Sequence, residues 1–124
     1  MYNRQVARSS RPRLKLVNLE DGMPTVPAAL SRLNDLVRGA RAEGWAVLKI
    51  IHGYGSSGAG GALRQSLQAA LSQKASTGEI RAWIAGEDWR VSNQVAWNLI
   101  NALPELRNDA DLGRNNRGVS IILL

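Results

Sequence analysis

The stretch VLKIIHGYGSSGAGGALR, residues 47–64, decides the fold of this chain. Its first five residues are apolar apart from Lys49 and rich in β-branched side chains, which predicts a buried strand over Val47–Ile51. A glycine-rich loop follows His52, and the helix-forming residues 62–64 begin a new periodic segment. A strand, a glycine loop and a helix in this order predict one βα unit of an α/β sheet.

The glycine loop is well suited to hold a phosphate group. Glycines let backbone N–H groups approach an anion without an intervening Cβ, and the start of the following helix offers unpaired N–H groups. His52 at the carboxyl end of the strand strengthens this interpretation, since ligands of open α/β sheets bind there. The candidate phosphate-binding residues of this unit are Gly53, Gly55, Ser56, Ser57, Gly58, Gly60, Gly61 and Arg64.

Two nucleotide-binding patterns fit the loop poorly. A P-loop requires GxxxxGK[ST], and no lysine follows the glycines here. Residues 53–58 match the bare pattern GxGxxG, but the dinucleotide fingerprint also requires an acid about 20 residues later. Gln73 and Lys74 stand near that position instead. A turn without a ligand, with a solvated Arg64, remains an open alternative.

The sequence HGYGSSGAGGALR resembles the HGxG…LR signature of the small MutS-related (Smr) domain, which occurs at the end of MutS-type paralogues and as a stand-alone protein. The resemblance begins near Leu14, is best over Val47–Leu71 and returns weakly at Asn116–Leu123. It implies a two-layer α/β fold, binding to DNA or RNA, and endonuclease (nicking) activity as the reaction to test.

His52 is the residue that we expect to transfer a proton in such a reaction. An imidazole has an ordinary pKa of about 6.5 and can act as general base or acid near neutral pH. The alternative is a turn histidine that is hydrogen-bonded to the backbone and has no catalytic role.

The first strand departs from the family pattern. In Smr domains it typically ends in an LDLHG-type motif, whose acid and histidine lie near the glycine loop. Here Asn18 stands for the acid and Glu20 for the histidine, and Asp21 is extra. Glu20 and Asp21 are therefore candidates to orient His52 or to hold a divalent metal ion. If they are instead ordinary loop acids, the nuclease interpretation is weakened.

The net charge of +6 is concentrated near the amino terminus. Residues 1–19 contain five basic side chains and no acid, whereas the rest of the chain has 11 basic and 10 acidic side chains. We interpret residues 1–12 as a flexible basic arm and residues 13–124 as one domain. Such arms bind nucleic-acid phosphates, although a solubilising tail or a transit peptide has a similar composition. The five basic residues are Arg4, Arg8, Arg11, Arg13 and Lys15.

The composition excludes several classes of protein. A chain of 124 residues without cysteine and with one histidine has no disulfide framework and no multi-Cys or multi-His metal site. No apolar run approaches the roughly 18 residues needed to span a bilayer, and no secretory signal is visible. These features predict a cytoplasmic protein that does not enter a membrane.

The remaining segments predict a two-layer α/β sandwich with a four-stranded mixed sheet, in the order β-α-β-α-β-(α)-β. We interpret residues 105–118 as a mobile loop. The predicted strands are Leu14–Leu19, Val47–Ile51, Ile80–Ala85 and Val119–Leu124. The predicted helices are one that follows the N-cap Thr25 and ends at Gly44, a second over Gly61–Lys74, and a third over Val91–Leu103, capped by Asp88 or Ser92.

The third helix is apolar around most of its circumference. We expect a core stripe of Val95, Leu99, Ala102 and Leu103, with Trp97 also packed in the core. The alternative is that this surface docks a protein partner or a second copy of the chain, which would make the protein a catalytically inactive interaction module. Stacking of tryptophan on unpaired bases is a further alternative.

Overall fold

A computed structural model describes residues 13–22, 24–53 and 59–124, and within them the chain forms a four-stranded sheet with three α-helices. The predicted α/β class, mixed sheet and element order are confirmed. The strands are β1 (Leu14–Asn18), β2 (Val47–Ile51), β3 (Ala82–Ala85) and β4 (Val119–Leu123). The helices are α1 (Val26–Ala42), α2 (Ala59–Ser76) and α3 (Gln94–Ala102), with 3-10 turns at Gly86–Asp88 and Pro104–Asn108.

Part of the predicted site lies outside the described residues. This applies to the arm 1–12, with Arg4, Arg8 and Arg11, and to the loop residues Gly55, Ser56, Ser57 and Gly58. Gly60 and Gly61, which we expected to serve the loop, lie in the first turn of α2. Their N–H groups belong to the first four of the helix, which have no partner within it.

The strands lie in the order β1-β2-β4-β3. β1 and β2 are parallel, and β4 is antiparallel to both β2 and β3. β1, β2 and β3 therefore end at the same edge of the sheet, and β4 begins there. We call this the strand-end edge, and it comprises the residues next to these strand ends, 19–20, 52–53, 86–87 and 117–118.

Helices α1 and α2 cover one face of the sheet. Leu48, Ile50 and Ile122 point to this face and share one buried cluster with Leu33 of α1 and Leu67 of α2. This cluster forms because apolar residues recur at helical spacing on both helices and alternate along the strands.

Helix α1 has the two ends that its sequence predicts. The Thr25 hydroxyl accepts a hydrogen bond from the N–H of Ala28 at 3.2 Å, which caps the first turn. At the other end Gly44 takes a φ of 85°, and Trp45 N–H donates to the Ala40 carbonyl. This is a Schellman ending, in which glycine accommodates the left-handed backbone.

The opposite face of the sheet is covered by α3 and the segment that follows it. Val47, Ile84 and Ile121 form a second buried cluster with Trp89 and Ile100. The sheet is thus buried on both sides. Within the described ranges, no helix has the length and apolar character that crossing a membrane requires.

The predicted core stripe of α3 is partly wrong. Asn93, rather than Asp88 or Ser92, caps the helix by accepting from Ala96 N–H at 3.0 Å. Leu99 and Leu103 are buried as expected, but Val95 is 42% exposed, Trp97 is 38% exposed, and Ala102 is also exposed. Ala96 and Ile100 are buried instead. The fully buried Trp89 lies in the same cluster as Ala96. Because the large indole occupies this part of the core, α3 presents a small side chain to the sheet at Ala96.

The segment 105–118, which we interpreted as a mobile loop, contains local structure. Pro104–Asn108 forms a 3-10 turn in which Leu106 is buried. Beyond it, Asp109 and Asp111 form ion pairs with Lys49, which is only 5% exposed in the middle of β2. These pairs attach the segment to the sheet, because a buried ammonium group requires compensating charges.

Candidate functional site at the strand ends

The strand-end edge brings together residues from five separate parts of the chain. His52 and Gly53 follow β2, Glu20 follows β1, and Glu87 follows β3. Two further residues come from α2 and from the segment before β4, namely Arg64 and Arg117. A contact between Arg64 Nε and the Arg117 carbonyl at 3.2 Å joins these last two elements.

His52 is completely buried, and both ring nitrogens have partners. Nδ1 lies 2.6 Å from the carbonyl oxygen of Gly53, and a carbonyl only accepts, so Nδ1 carries the proton. Nε2 of the neutral ring then accepts from the hydroxyl of Ser120, at 2.9 Å. The backbone N–H groups of His52 and Gly53 both donate to the Gly118 carbonyl, which fixes the ring relative to β4.

Burial lowers the pKa of His52, since a charged imidazolium loses hydration inside the protein. The hydrogen bond to Gly53 acts in the opposite direction, and so do the charges of Glu20 and Glu87. The positive charge of Arg64 adds to the lowering. His52 is therefore neutral at physiological pH and has the form of a general base, but its Nε2 is occupied by Ser120.

The Glu20 carboxylate packs on the backbone of Gly53. A Cβ built on Gly53 would lie 2.1 Å from Glu20 Oε2, and this glycine has a φ of 76°. The left-handed backbone favours glycine at this position, whereas the flexible Glu20 side chain could move aside for a Cβ. The side chain of Asn18 accepts from the N–H of Glu20 at 2.8 Å, so the residue at the family's acid position shapes the loop instead of supplying a charge.

Glu87 connects the two arginines of the edge. Its carboxylate forms an ion pair with the Arg64 guanidinium, and Arg117 Nε lies 4.0 Å from the same oxygen. The other oxygen, Oε1, is buried and has no hydrogen-bond partner among the described residues. Arg117 is the more accessible arginine, since its side chain is 60% exposed against 16% for Arg64.

Gly86 allows β3 and β4 to approach closely at this edge. A Cβ on Gly86 would lie 1.9 Å from the Asn116 carbonyl oxygen and 2.7 Å from that of Val119. Backbone atoms cannot move aside as a flexible side chain can. Any side chain here would therefore displace the segment that carries Arg117.

The predicted site residues are only partly brought together. His52, Glu20, Gly53 and Arg64 meet at the strand-end edge, and Asp21 is an exposed residue directly after Glu20. The basic residues Arg13 and Lys15 lie at the opposite end of β1, where Lys15 pairs with Glu43 at 3.2 Å.

Three residues at or next to the strand-end edge were missed by the sequence analysis, namely Glu87, Arg117 and Ser120. Ser120 had one signal, since it is the only polar residue in the apolar run Val119–Leu124. Within the described ranges, no three His, Asp or Glu side chains are grouped so as to hold a metal ion. The divalent ion that we considered at Glu20 and Asp21 stays a prediction.

The family model for the Smr domain matches residues 21–88, which is more than half of the 124 residues. This chain belongs to the Smr domain family. A similar solved structure is the Smr domain of Thermus thermophilus MutS2, with a TM-score of 0.55 and 25% sequence identity. The alignment covers 89% of this chain and 96% of that chain. A search of curated proteins found no match.

The Smr assignment confirms the resemblance and places the chain in a family of the nucleic-acid-binding and nuclease type. His52, Gly53, Arg64 and Glu87 lie within the matched residues 21–88. Arg117 and Ser120 lie beyond them, in the segment that follows the family match. The strand-end edge of this Smr domain is therefore built partly from residues that the family model does not cover.

The buried His52 predicts how the stability of the domain depends on pH. Its pKa is lower in the folded chain than the ordinary value of about 6.5, so the unfolded chain binds more protons between the two values. The contribution to stability is complete above pH about 6.5 and is lost as the pH falls towards the folded pKa. Between these two pKa values, we expect the free energy of unfolding, measured by urea denaturation, to fall by up to about 1.4 kcal/mol for each unit by which the pH is lowered.

The variant His52→Gln is the matched control for this titration, because His52 is the only histidine in the chain. Its unfolding free energy should be nearly constant between pH 7 and 5.5. The same slope in both proteins would show that burial of His52 does not disfavour its charged form.

Proposed function

We propose that this Smr domain binds nucleic acid at the strand-end edge, through the phosphates of its backbone. The observation that carries the proposal is the convergence of Arg64, Arg117 and the start of α2 on the carboxyl end of β2. Guanidinium groups bind phosphate through paired hydrogen bonds, and a helix start favours anions. Membership of a nucleic-acid-binding and nuclease-type family supports the same assignment.

The charge of the edge is mixed, because Glu20 and Glu87 lie beside the two arginines. We therefore assign the long-range attraction between the protein and nucleic acid to the basic residues of segment 1–12. This segment precedes Arg13 at the opposite end of β1, and five strand residues span about 17 Å. Twelve extended residues reach up to about 40 Å, which is enough to contact the same nucleic acid.

Salt dependence of binding tests this proposal. Fluorescence anisotropy with labelled 20-nucleotide DNA, RNA and duplex DNA gives the slope of log affinity against log salt. Deleting residues 2–12 removes three arginines and should reduce the steepness of this slope by about 2–3. Arg64→Gln should reduce it by about 0.7–0.9, whereas Arg81→Gln, at the opposite edge of the sheet, should leave it unchanged.

Each failure of this experiment has its own meaning. Wild-type protein that binds none of the three probes at low salt would overturn the proposal. A slope unaffected by the deletion would assign residues 1–12 to solubility. Equal effects of Arg64→Gln and Arg81→Gln would show that the bound nucleic acid lies elsewhere on the domain.

Phosphodiester cleavage at the same edge is the finer candidate function. It is favoured by the exposed carboxylate of Glu20 next to Gly53 and His52. In this scheme Glu20 or Asp21 accepts a proton from the water that attacks phosphorus. The bond between phosphorus and one sugar oxygen breaks, and solvent protonates that leaving oxygen. Arg64 stabilises the charge that develops on the phosphate. His52 would then take part only if its bond to Ser120 opened. Incubation of supercoiled plasmid and structured RNA with the protein, with and without chelator, tests both cleavage and metal requirement.

A protein-interaction function is the alternative from another class. The observation that favours it is the exposure of Val91, Val95 and Trp97 in and before α3. Large exposed apolar side chains occur at contacts with a partner or a second copy of the chain. Sedimentation velocity of wild type and Trp97→Glu distinguishes this function, since only a docking surface would lose self-association in the variant.

A further inference from the structure

The segment before β4 lines a cavity of which the proposed function uses one residue, Arg117. It has a volume of about 430 Å³. It lies next to the strand-end edge, because the carbonyl of Arg117 accepts the hydrogen bond from Arg64. The residues that line it are Asp111, Arg114, Asn115, Asn116 and Arg117.

The walls of this cavity are held in place from inside the protein. Lys49 on β2 forms ion pairs with Asp109 and Asp111. The amide of Asn116 donates to Asp111 Oδ1 at 2.8 Å, and its oxygen accepts from Gly118 N–H at 2.9 Å. The loop is therefore organised before any ligand arrives, which lowers the entropic cost of binding.

The same contacts leave the cavity with a positive charge. Burial opposes ionisation of Asp111, but the amide of Asn116 and the ammonium of Lys49 outweigh it and lower the pKa of this carboxyl. Asp111 is thus ionised, and it shares the ammonium group of Lys49 with Asp109. The net positive charge of the lining comes from its two arginines. Arg114 and Arg117 are both exposed and face the solvent side of the cavity.

The backbone of the cavity loop supports this arrangement. Asn115 takes a φ of 57°, in the left-handed region that asparagine tolerates better than most residues. This turn lies between Arg114 and Arg117, and both of these residues line the one cavity. Two guanidinium groups around one concave surface form a geometry that binds a phosphate group.

We propose that this cavity is a second phosphate subsite, which binds the backbone of a nucleic-acid strand that continues from the strand-end edge. The inference rests on the proposed function and specifies it further. A mononucleotide would occupy one subsite only. A ligand that fills both the edge and this cavity must therefore carry successive phosphates, as a nucleic-acid strand does. The cavity lies in the segment beyond residues 21–88, so this subsite is a feature of this chain outside the family match.

The test uses the full chain and a labelled 20-nucleotide single strand. Arg114→Ala should reduce the steepness of the salt slope by about 0.7, which is what one phosphate contact to a single strand contributes. Arg117 is left unchanged because it also belongs to the strand-end edge. The charge-conserving variant Arg114→Lys should keep the wild-type slope. Arg81→Ala, which removes an exposed arginine at the opposite edge, is the control for net charge.

A second variant protects the test against misfolding. Arg114→Gln keeps a polar side chain at this exposed position and should also reduce the steepness by about 0.7 without changing the melting temperature. If both Arg114 variants behave like Arg81→Ala, while Arg64→Gln still weakens binding, the second subsite is overturned and the proposed function stays intact. Wild-type protein that binds no probe would overturn both.

Discussion

Replacing Lys49 by methionine is expected to lower the free energy of unfolding by about 3–5 kcal/mol. Lys49 is 5% exposed, and its ammonium group lies 3.0 Å from both carboxylate oxygens of Asp109 and also pairs with Asp111. Methionine fills a similar volume but leaves two carboxylates without a cation. An uncompensated buried charge is far more costly than the loss of an ordinary contact.

The effect extends beyond the ion pairs themselves. Asp109 also accepts hydrogen bonds from the Trp89 indole at 3.1 Å and from the N–H of Asp111 at 3.0 Å. These bonds attach the segment after α3 to the second core cluster. The loss of Lys49 should therefore loosen the cavity around Arg114 as well as destabilise the domain.

Urea denaturation of wild type, Lys49→Met and Lys15→Met checks this prediction. Lys15 also forms an ion pair, with Glu43, but both side chains are partly exposed and the pair is screened by solvent, so its loss should have little effect on stability. If Lys49→Met were no less stable than Lys15→Met, the buried network would not contribute to the stability of the fold.

Local sequence patterns were sufficient for the elements whose cause is local. The apolar run that forms β2 was predicted with its observed bounds, because turn residues flank it closely. The start of α1 followed from the Thr25 hydroxyl and its end from Gly44, and both lie next to the groups that they satisfy. The motif around His52 predicted the family for the same reason, since its residues are contiguous in sequence.

Contacts between distant residues explain what the sequence did not predict. Ser120 binds the ring of His52 across 68 positions, and Lys49 pairs with Asp109 across 60. No pattern in the sequence assigns such partners. The burial of His52 and the ordered structure of 105–118 both depend on them, so the histidine resembled an accessible catalytic group and the segment resembled a loop.

The exposed face of α3 illustrates the same limit. Valine, tryptophan, leucine and isoleucine alternate along this helix so closely that several stripes have similar hydrophobicity. Trp89, which directly follows the 3-10 turn Gly86–Asp88, fills the core and determines which stripe faces the sheet. The choice between Trp89 and Trp97 as the core residue therefore depended on packing and not on periodicity.

These two tryptophans give the last prediction. Trp89 is completely buried, so Trp89→Ala should lower the free energy of unfolding by about 3–5 kcal/mol through lost burial and the cavity left behind. Trp97 is 38% exposed, and the guanidinium of Arg107 lies 5.6 Å from its ring centroid. Trp97→Ala should cost only about 1 kcal/mol, and Trp97→Glu should remain folded because the new carboxylate can reach solvent.

Thermal melting followed by circular dichroism compares the three variants directly. A large fall in melting temperature for Trp89→Ala beside near-wild-type values for both Trp97 variants is the expected result. Unfolding of Trp97→Glu would mean instead that α3 presents Trp97 to the core, as its sequence pattern alone suggested. In that case Trp97 would lie against the sheet and would not be available for partner docking.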